Sequence, residues 1–469
     1  MNHYLHFMGG ASGVTGSKTI LNSSDGQFIV DFGLFQGGSL IREENWKISF
    51  PINEIKGIIL THAHIDHSGL IPKLAQDSFN FKGKIFCTAA TFDLVSVLLM
   101  DSAKIHEEDA RFAALKKFSR HEDPKPLYTT QDVEKILKEF VVLPFDEKFQ
   151  LTPKISVTFS WAGHILGSSS ALIEISPTPP EMKECRLFFS GDIGHKRHAM
   201  LTGPDKIPAC DVMILESTYG NKIHPRVPHL ELLKIYINIV MKRNGVLIIP
   251  SFSVGRTQDI LYCLNELQKN NQIPLAPIYL DSPLSKKANA IFKKHQNSCH
   301  VREELKNVKE LFPANLIEIE SIAESKELNE QSGPLIIVSA SGMIDGGRVV
   351  HHVKKRITDP KNAILFVGFQ PEGTKGKILL DGNKMLRLHK EELNVEASIF
   401  KLDGLSAHGD FLDFLQWINE SEIKPRLTIL NHGEEKSSAF LKEVLKTEKN
   451  WSVCVASFNE KFNLDNFFY

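Results

Sequence analysis

Cysteine is sparse and scattered in this chain. The six residues, Cys87, Cys185, Cys210, Cys263, Cys299 and Cys454, form no C-x-x-C pair. That spacing excludes a zinc knuckle and a disulfide framework. Thiols set beside apolar runs belong in a reducing compartment. Excess charge is missing as well: 55 Lys plus Arg stand against 56 Asp plus Glu, for a net charge of −1. No whole-protein positive field draws in a polyanion, so local donors in a cleft must hold any such ligand. No apolar run approaches the roughly 20 residues that a bilayer span requires. The opening MNHYLHFMGGASGVTGS lacks the charged-then-apolar pattern of a secretory leader. A soluble, cytoplasmic protein without membrane partners is the expectation.

What is present is an ordinary globular composition, 42% apolar over 469 residues, too long for one core and enough for two or three domains. Short apolar strands fill the first part, and each ends in a polar, often Gly-containing loop. Phe28-Ile29-Val30 runs into Asp31-Phe32-Gly33, and Ile58-Ile59-Leu60 into THAHIDH. Residues 155–159 run into Trp161 to His164, 187–189 into Ser190-Gly191-Asp192, and 212–215 into Glu216-Ser217-Thr218. This pattern puts chemistry at one rim of a buried sheet. A mostly helical segment is expected around residues 91–140. From about 223 the rhythm becomes strand, loop, helix, which indicates a second α/β domain with a parallel sheet. Residues 301–332 read as a charged surface helix and loop, and strand-and-loop character returns after about 394. The expected division is 1–222, an insert 223–393, and a return at 394–469. No internal repeat or low-complexity tract is seen.

The chemistry concentrates in residues 61–67, where His62, His64, Asp66 and His67 fall inside six positions. Imidazole and carboxylate are the N/O ligands of Zn²⁺ and similar ions. One catalytic ion keeps a position open for water, so it does not use all four, whereas two adjacent ions can. The loop then needs partners further along, namely another histidine and a carboxylate able to bridge. His164, Asp192 and His432 qualify, each just after an apolar strand. Asp31 suits a hydrogen-bonding role behind the ligands. His195, His198, His351 and His352 lack the strand-end pattern and are not expected to be ligands.

By THAHIDH, His164, Asp192 and His432 the chain resembles metallo-β-lactamase-fold hydrolases. The resemblance implies an αββα sandwich with a dinuclear site on one edge. It implies one ion held by His62, His64, His164 and Asp192. It implies a second held by Asp66, His67, Asp192 and His432, with Asp192 bridging. The motif does not settle the substrate, because unrelated hydrolyses share the fold.

The insert narrows it. ILESTYGN at 214–221, GLSAHGDF at 404–411 and ILNHGEE at 429–435 resemble the β-CASP branch, which processes RNA or DNA. With PSFSVGRTQ, ASGMIDGGR and GFQPEGTKG the likeness covers nearly the whole chain. It is closest to the group of the pre-mRNA 3′-end endonuclease and its bacterial and archaeal relatives. Ribonuclease J-type proteins carry a motif of the form HVSGHA where this chain has GLSAHGD, so their 5′-exonuclease activity is not carried over.

The residues agree with a phosphodiester substrate. Strand-end loops of an open parallel sheet, with their helix N-termini and glycines, present N–H groups to anions. Ser253, Arg256, Ser341, Gly342, Arg348 and Gly373 are the candidate phosphate-binding residues, and Lys286, Lys287, Lys354 and Lys355 a candidate basic track. The expected enzyme is a zinc-dependent ribonuclease cutting single-stranded RNA, internally as the likeness implies, through a hydroxide activated by two metals. Asp66 would orient that hydroxide. His408 would protonate the leaving oxygen, and Glu216 would hold His408 charged. The active site is expected between the two domains, with no further RNA-binding module beyond them. A homodimer is compatible with this reading. A small-molecule ester, thioester or lactone hydrolase and a non-catalytic RNA-binding subunit remain as alternatives.

Overall fold

Alternation along the strands decides the architecture. In the strand Cys185–Phe189, Leu187 and Phe189 enter one apolar cluster while Phe188 enters another. In Val212–Glu216, Val212 and Ile214 join the first cluster and Met213 and Leu215 the second. A strand buried on both faces sits inside a layered structure, with a sheet on one side and helices on the other. The computed structural model, which describes residues 3–116, 124–176 and 183–469, has this layering.

The chain divides into two units. The first comprises Met1–Lys196, Gly203–Ile223 and His408–Tyr469, and the second Arg197–Thr202 and His224–Ala407. Two seven-stranded sheets build the first unit. One runs in the order Glu460–Asn463, Tyr4–Gly9, Lys18–Ser23, Gly26–Val30, Ile55–Ile59, Lys84–Cys87, Phe140–Val142. The other runs Val453–Val455, Leu427–Asn431, Val212–Glu216, Cys185–Phe189, Ser169–Ile175, Ile155–Trp161, Phe149–Thr152. Phe7, Phe28 and Ile59 of the first sheet meet Phe159, Ile173 and Ile429 of the second in one core. Phe414, Trp417, Leu441 and Leu445, from the helices Phe411–Ser421 and Glu435–Lys449, cover the second sheet's other face. This is the αββα sandwich.

The expected helical segment contains the helices Ala89–Lys116 and Thr130–Ile136, the latter opened by a Thr129–Asp132 capping box. Residues 117–123 of that expectation lie outside the described residues. No helix among the described residues is long and apolar enough to cross a membrane.

The second unit holds a six-stranded, all-parallel sheet in the order Leu316–Glu318, Ile278–Asp281, Leu335–Ser339, Val246–Pro250, Ala363–Phe366, Ser398–Lys401. Its inner strands are buried throughout, as strands covered by helices on both faces must be. Two features differ from the sequence reading. The stretch read as surface helix and loop contributes an edge strand, Leu316–Glu318, before the helix Ile322–Glu330. Ser398–Lys401, read with the returning first domain, pairs with Ala363–Phe366 in the second unit.

Candidate metal centre

Parallel strand pairing delivers the first donors to one rim. Val30 lies opposite Ile59, so Asp31 and Thr61 emerge side by side. Asp31 Oδ1 accepts from the Thr61 N–H at 2.8 Å, and its Oδ2 faces His67 Nδ1 at 2.7 Å. Gly33 makes this approach feasible, because a Cβ there would lie 1.6 Å from the Asp66 carbonyl oxygen. The four-residue helix Ile65–Ser68 then turns Asp66 and His67 back toward His62 and His64. A similar close fit seats the Asp192 loop, since a Cβ on Gly194 would lie 1.7 Å from the Gly163 carbonyl beside His164. In the second sheet Glu216 pairs in register with Asn431, which places His432 at the same rim. Asp31 and His432 hold left-handed backbone, φ 58° and 49°, a conformation that costs energy for residues with a Cβ and recurs at functional sites.

His62 Nε2 and His164 Nε2 each lie 3.1 Å from His64 Nδ1. Asp192 Oδ2 is 3.5 Å from His62 Nε2 and 3.7 Å from His164 Nε2. Ligands placed about 2.0–2.1 Å from a tetrahedral ion stand about 3.3–3.4 Å apart. The four donors are therefore spaced as the corners around one cation. Asp192 Oδ1 faces the other way, 3.3 Å from His67 Nε2 and 3.2 Å from His432 Nδ1. It is buried and accepts no well-directed hydrogen bond. His67 Nε2 and His432 Nε2 are 3.2 Å apart, with Asp66 Oδ2 3.8 Å from the latter. Within each of the sets His62–His64–His164–Asp192 and Asp66–His67–His432, the donor atoms lie within 4.8 Å of one another. The donor chemistry and spacing fit two divalent ions.

The electrostatics fit as well. Burial pushes His62 and His164 well below the ordinary histidine range, which leaves the neutral imidazole that a metal ligand must be. Burial also opposes the charge on Asp192, yet His432, His67 and His62 outweigh it and hold the carboxyl well below its usual range. For His67 burial is overcome by the Asp192 and Asp31 carboxylates, which raise it well above normal. A cation at Nε2 would replace that proton, while Asp31 keeps Nδ1 occupied. Asp31→Ala is therefore expected to weaken metal affinity about 10–100-fold. A competition titration against a chromophoric chelator checks this.

Beside the donors stands an acid–base pair. Glu216 Oε1 is 3.2 Å from His408 Nδ1, and His408 Nε2 is 3.8 Å from Asp192 Oδ2. Glu216 also groups with Asp192 and His432 as a possible donor set. Its oxygens, however, already accept the Ile193 N–H at 2.7 Å and the Thr218 N–H at 3.1 Å. It is a fixed acceptor aimed at the imidazole. Burial lowers His408, but Glu216 and Asp192 more than compensate and push it up to about 9.

Other expectations fare differently. His195, His198, His351 and His352 join no metal-type donor set among the described residues. The six phosphate candidates fall at the carboxyl edge of the second unit's sheet, with Arg256 opening the helix Arg256–Lys269, but all four of their polar side chains already have partners. Arg348 donates to Asp281 at 2.7 Å and to the Glu320 carbonyl at 2.8 Å. Arg256 donates to the Val367 carbonyl. Ser253 Oγ is 3.3 Å from Ser282 Oγ, and Ser341 Oγ is 3.4 Å from the Gly346 carbonyl. Gly342 accepts from Gln370, and Gly373 is left-handed with open space at its Cβ. Lys286, Lys354 and Lys355 pair with Glu320, Glu391 and Glu330, so they do not form an unneutralised basic track. The supporting residues escaped sequence reading. Thr61 Oγ1 lies 3.1 Å from His62 Nδ1, and Ser168 Oγ accepts from the His164 N–H. The only sequence sign of either is its place beside a histidine motif.

Comparison with known proteins adds the lineage. Three family models match: the metallo-beta-lactamase superfamily over residues 14–80, the Beta-Casp domain over 257–379, and a Zn-dependent metallo-hydrolase RNA specificity domain over 392–456. Ribonuclease TTHA0252 of Thermus thermophilus is 32% identical, covering 96% of this chain and 98% of its own length. An RNase J-like protein of Methanocaldococcus jannaschii is 30% identical over 95% of this chain and 96% of its own. The transcription termination factor FttA of Methanosarcina mazei is 27% identical, covering 92% of this chain and 67% of its own. A crystal structure of a protein of unknown function from Enterococcus faecalis V583 shares the fold, with TM-score 0.54 and 14% identity over 99% of this chain and 100% of that one.

Proposed function

The chain belongs to the β-CASP family of metallo-β-lactamase-fold hydrolases, and from that premise we propose that it is a zinc-dependent ribonuclease cutting single-stranded RNA internally. The observation that carries the proposal is the clustering of seven donor residues in which the two oxygens of Asp192 face the two groups of histidines, with His408 and Glu216 alongside. The relatives named as ribonucleases support RNA as the substrate.

One ion would be held by His62, His64, His164 and Asp192, and the other by Asp66, His67, His432 and Asp192. Imidazole with carboxylate is a donor set that suits Zn²⁺. Such ions supply a Lewis acid for a phosphate oxygen and make water acidic enough to attack at neutral pH. The chain's own groups supply the rest. Asp66 Oδ2, on a side chain 24% exposed, accepts a hydrogen bond from the attacking water and orients it. His408 Nε2, facing the cluster, donates a proton to the leaving 3′ oxygen. Glu216 holds the opposite nitrogen and favours the charged ring. Ser253, Arg256, Ser341, Gly342, Arg348 and Gly373 offer hydroxyl, guanidinium and N–H donors to the RNA backbone.

One single-stranded RNA, labelled in separate preparations at either end, tests the reading. Internal fragments visible with both labels are expected. Mononucleotides released from one terminus alone would contradict internal cutting. Turnover of a thioester or lactone with intact RNA would contradict the substrate class.

A further inference from the structure

The carboxyl edge of the second unit's sheet carries an aromatic ring that its core does not use. Phe252 follows the strand Val246–Pro250 and is 46% exposed. That strand lies between Leu335–Ser339 and Ala363–Phe366, so the loops after all three are neighbours. The flanking loops place glycines under the ring. A Cβ on Gly342 would lie 3.3 Å from ring atoms Cδ2 and Cε2, and one on Gly368 would lie 4.0 Å from Cε2. The ring thus rests on bare backbone on one side and meets solvent on the other. Its main chain is fixed, because the carbonyl of Phe252 accepts from Thr257 Oγ1 at 2.7 Å and from the Thr257 N–H at 3.2 Å. No other aromatic ring or cation among the described residues stacks on it.

We propose that Phe252 is a stacking platform for one unpaired nucleobase of the RNA, an inference that rests on the ribonuclease reading above. A base offers a flat π-face of matching size and a polar rim. The half-buried Ser253 follows the ring in sequence, and the half-buried Ser341 neighbours its Gly342 floor, so each brings a hydroxyl near it. An aliphatic partner would want a wider apolar surround than these serines give. Stacking is tolerant of sequence, since every base has such a face. Little ordering is needed on the protein side, because backbone and floor are already set.

The test is equilibrium binding of the full chain to a short single-stranded RNA with hydrolysis-resistant phosphorothioate linkages. The control is a strand of the same length whose sugars carry no bases. Phe252→Ala is expected to weaken binding of the RNA about 5- to 150-fold, the contribution of one stacked base. Phe252→Leu should weaken it similarly, and Phe252→Trp should restore it to within about twofold. All four proteins should bind the base-free strand equally. Phe252→Leu matching the wild type would show that apolar bulk suffices and would overturn the platform. An equal loss on the base-free strand would also overturn it, by assigning the effect to loop structure. Failure of the wild type to bind RNA at all would remove the ribonuclease reading itself, a result recognisable without any variant.

Discussion

Asp192→Ala is expected to empty at least one cation position and to slow RNA cleavage by about 10³-fold or more, which corresponds to the several kcal/mol of charge stabilisation a catalytic metal supplies. The expectation follows from the division of labour between its oxygens. Oδ2 faces His62 and His164 at 3.5 and 3.7 Å, while Oδ1 faces His67 and His432 at 3.3 and 3.2 Å. No other carboxylate among the described residues lies against both sets of histidines. Its loss also removes the carboxylate that faces the buried His62 and His164 rings. Metal per protein by atomic emission, with initial cleavage rates on the same samples, checks the result. A fully metallated Asp192→Ala protein would show that the carboxylate does not join the two sets.

His408→Ala should behave in the opposite way on the first measurement and similarly on the second. Metal content stays, and the rate falls about 10²–10⁴-fold, the usual worth of a general acid. His408 sits outside both donor sets and is held by Glu216 at 3.2 Å. A parallel loss of metal would make it a ligand instead. The pH profile gives a second readout. A general acid must be protonated, so activity is retained below its pKa and lost as pH rises through it. Burial lowers that pKa, but Glu216 and Asp192 raise it overall, to about 9. Glu216→Gln keeps the hydrogen-bonding shape and removes the charge. The alkaline limb of the rate should therefore move to lower pH, toward the ordinary value of about 6.5. Cations bound beside His408 lower the limb in both proteins, so the sign of the difference survives. An unchanged limb would mean that another group donates the proton.

The sequence made some of this visible and hid the rest for physical reasons. Four donors within THAHIDH are legible because a loop that dense in imidazole and carboxylate has few other uses. His164, Asp192 and His432 could be picked out only by their shared place after apolar strands, and the parallel register that brings Glu216 beside Asn431 explains why that place counts. Thr61, beside the His62 ring, and Ser168, which holds the His164 main chain, look like any other hydroxyl residues until the fold brings them close. The edge strand Leu316–Glu318 is three residues long and partly exposed, with too little alternation to stand out from a charged surface segment. The lysines read as a basic track have glutamate partners 25 to 37 residues away in sequence, at Glu330, Glu320 and Glu391. Such long-range pairing is set by tertiary structure alone. Arg348 is the sharpest case. A phosphate donor by its sequence, it also carries a partly buried bond to Asp281, which in turn holds His352 at 2.6 Å.

Chelator titration, with bound metal and RNA cleavage read from the same sample, tests most directly whether these seven side chains hold two working cations. Two equivalents of metal per chain are expected at the start, with cleavage falling as they leave and returning when Zn²⁺ is restored. Undiminished cleavage by a metal-free protein would contradict the account.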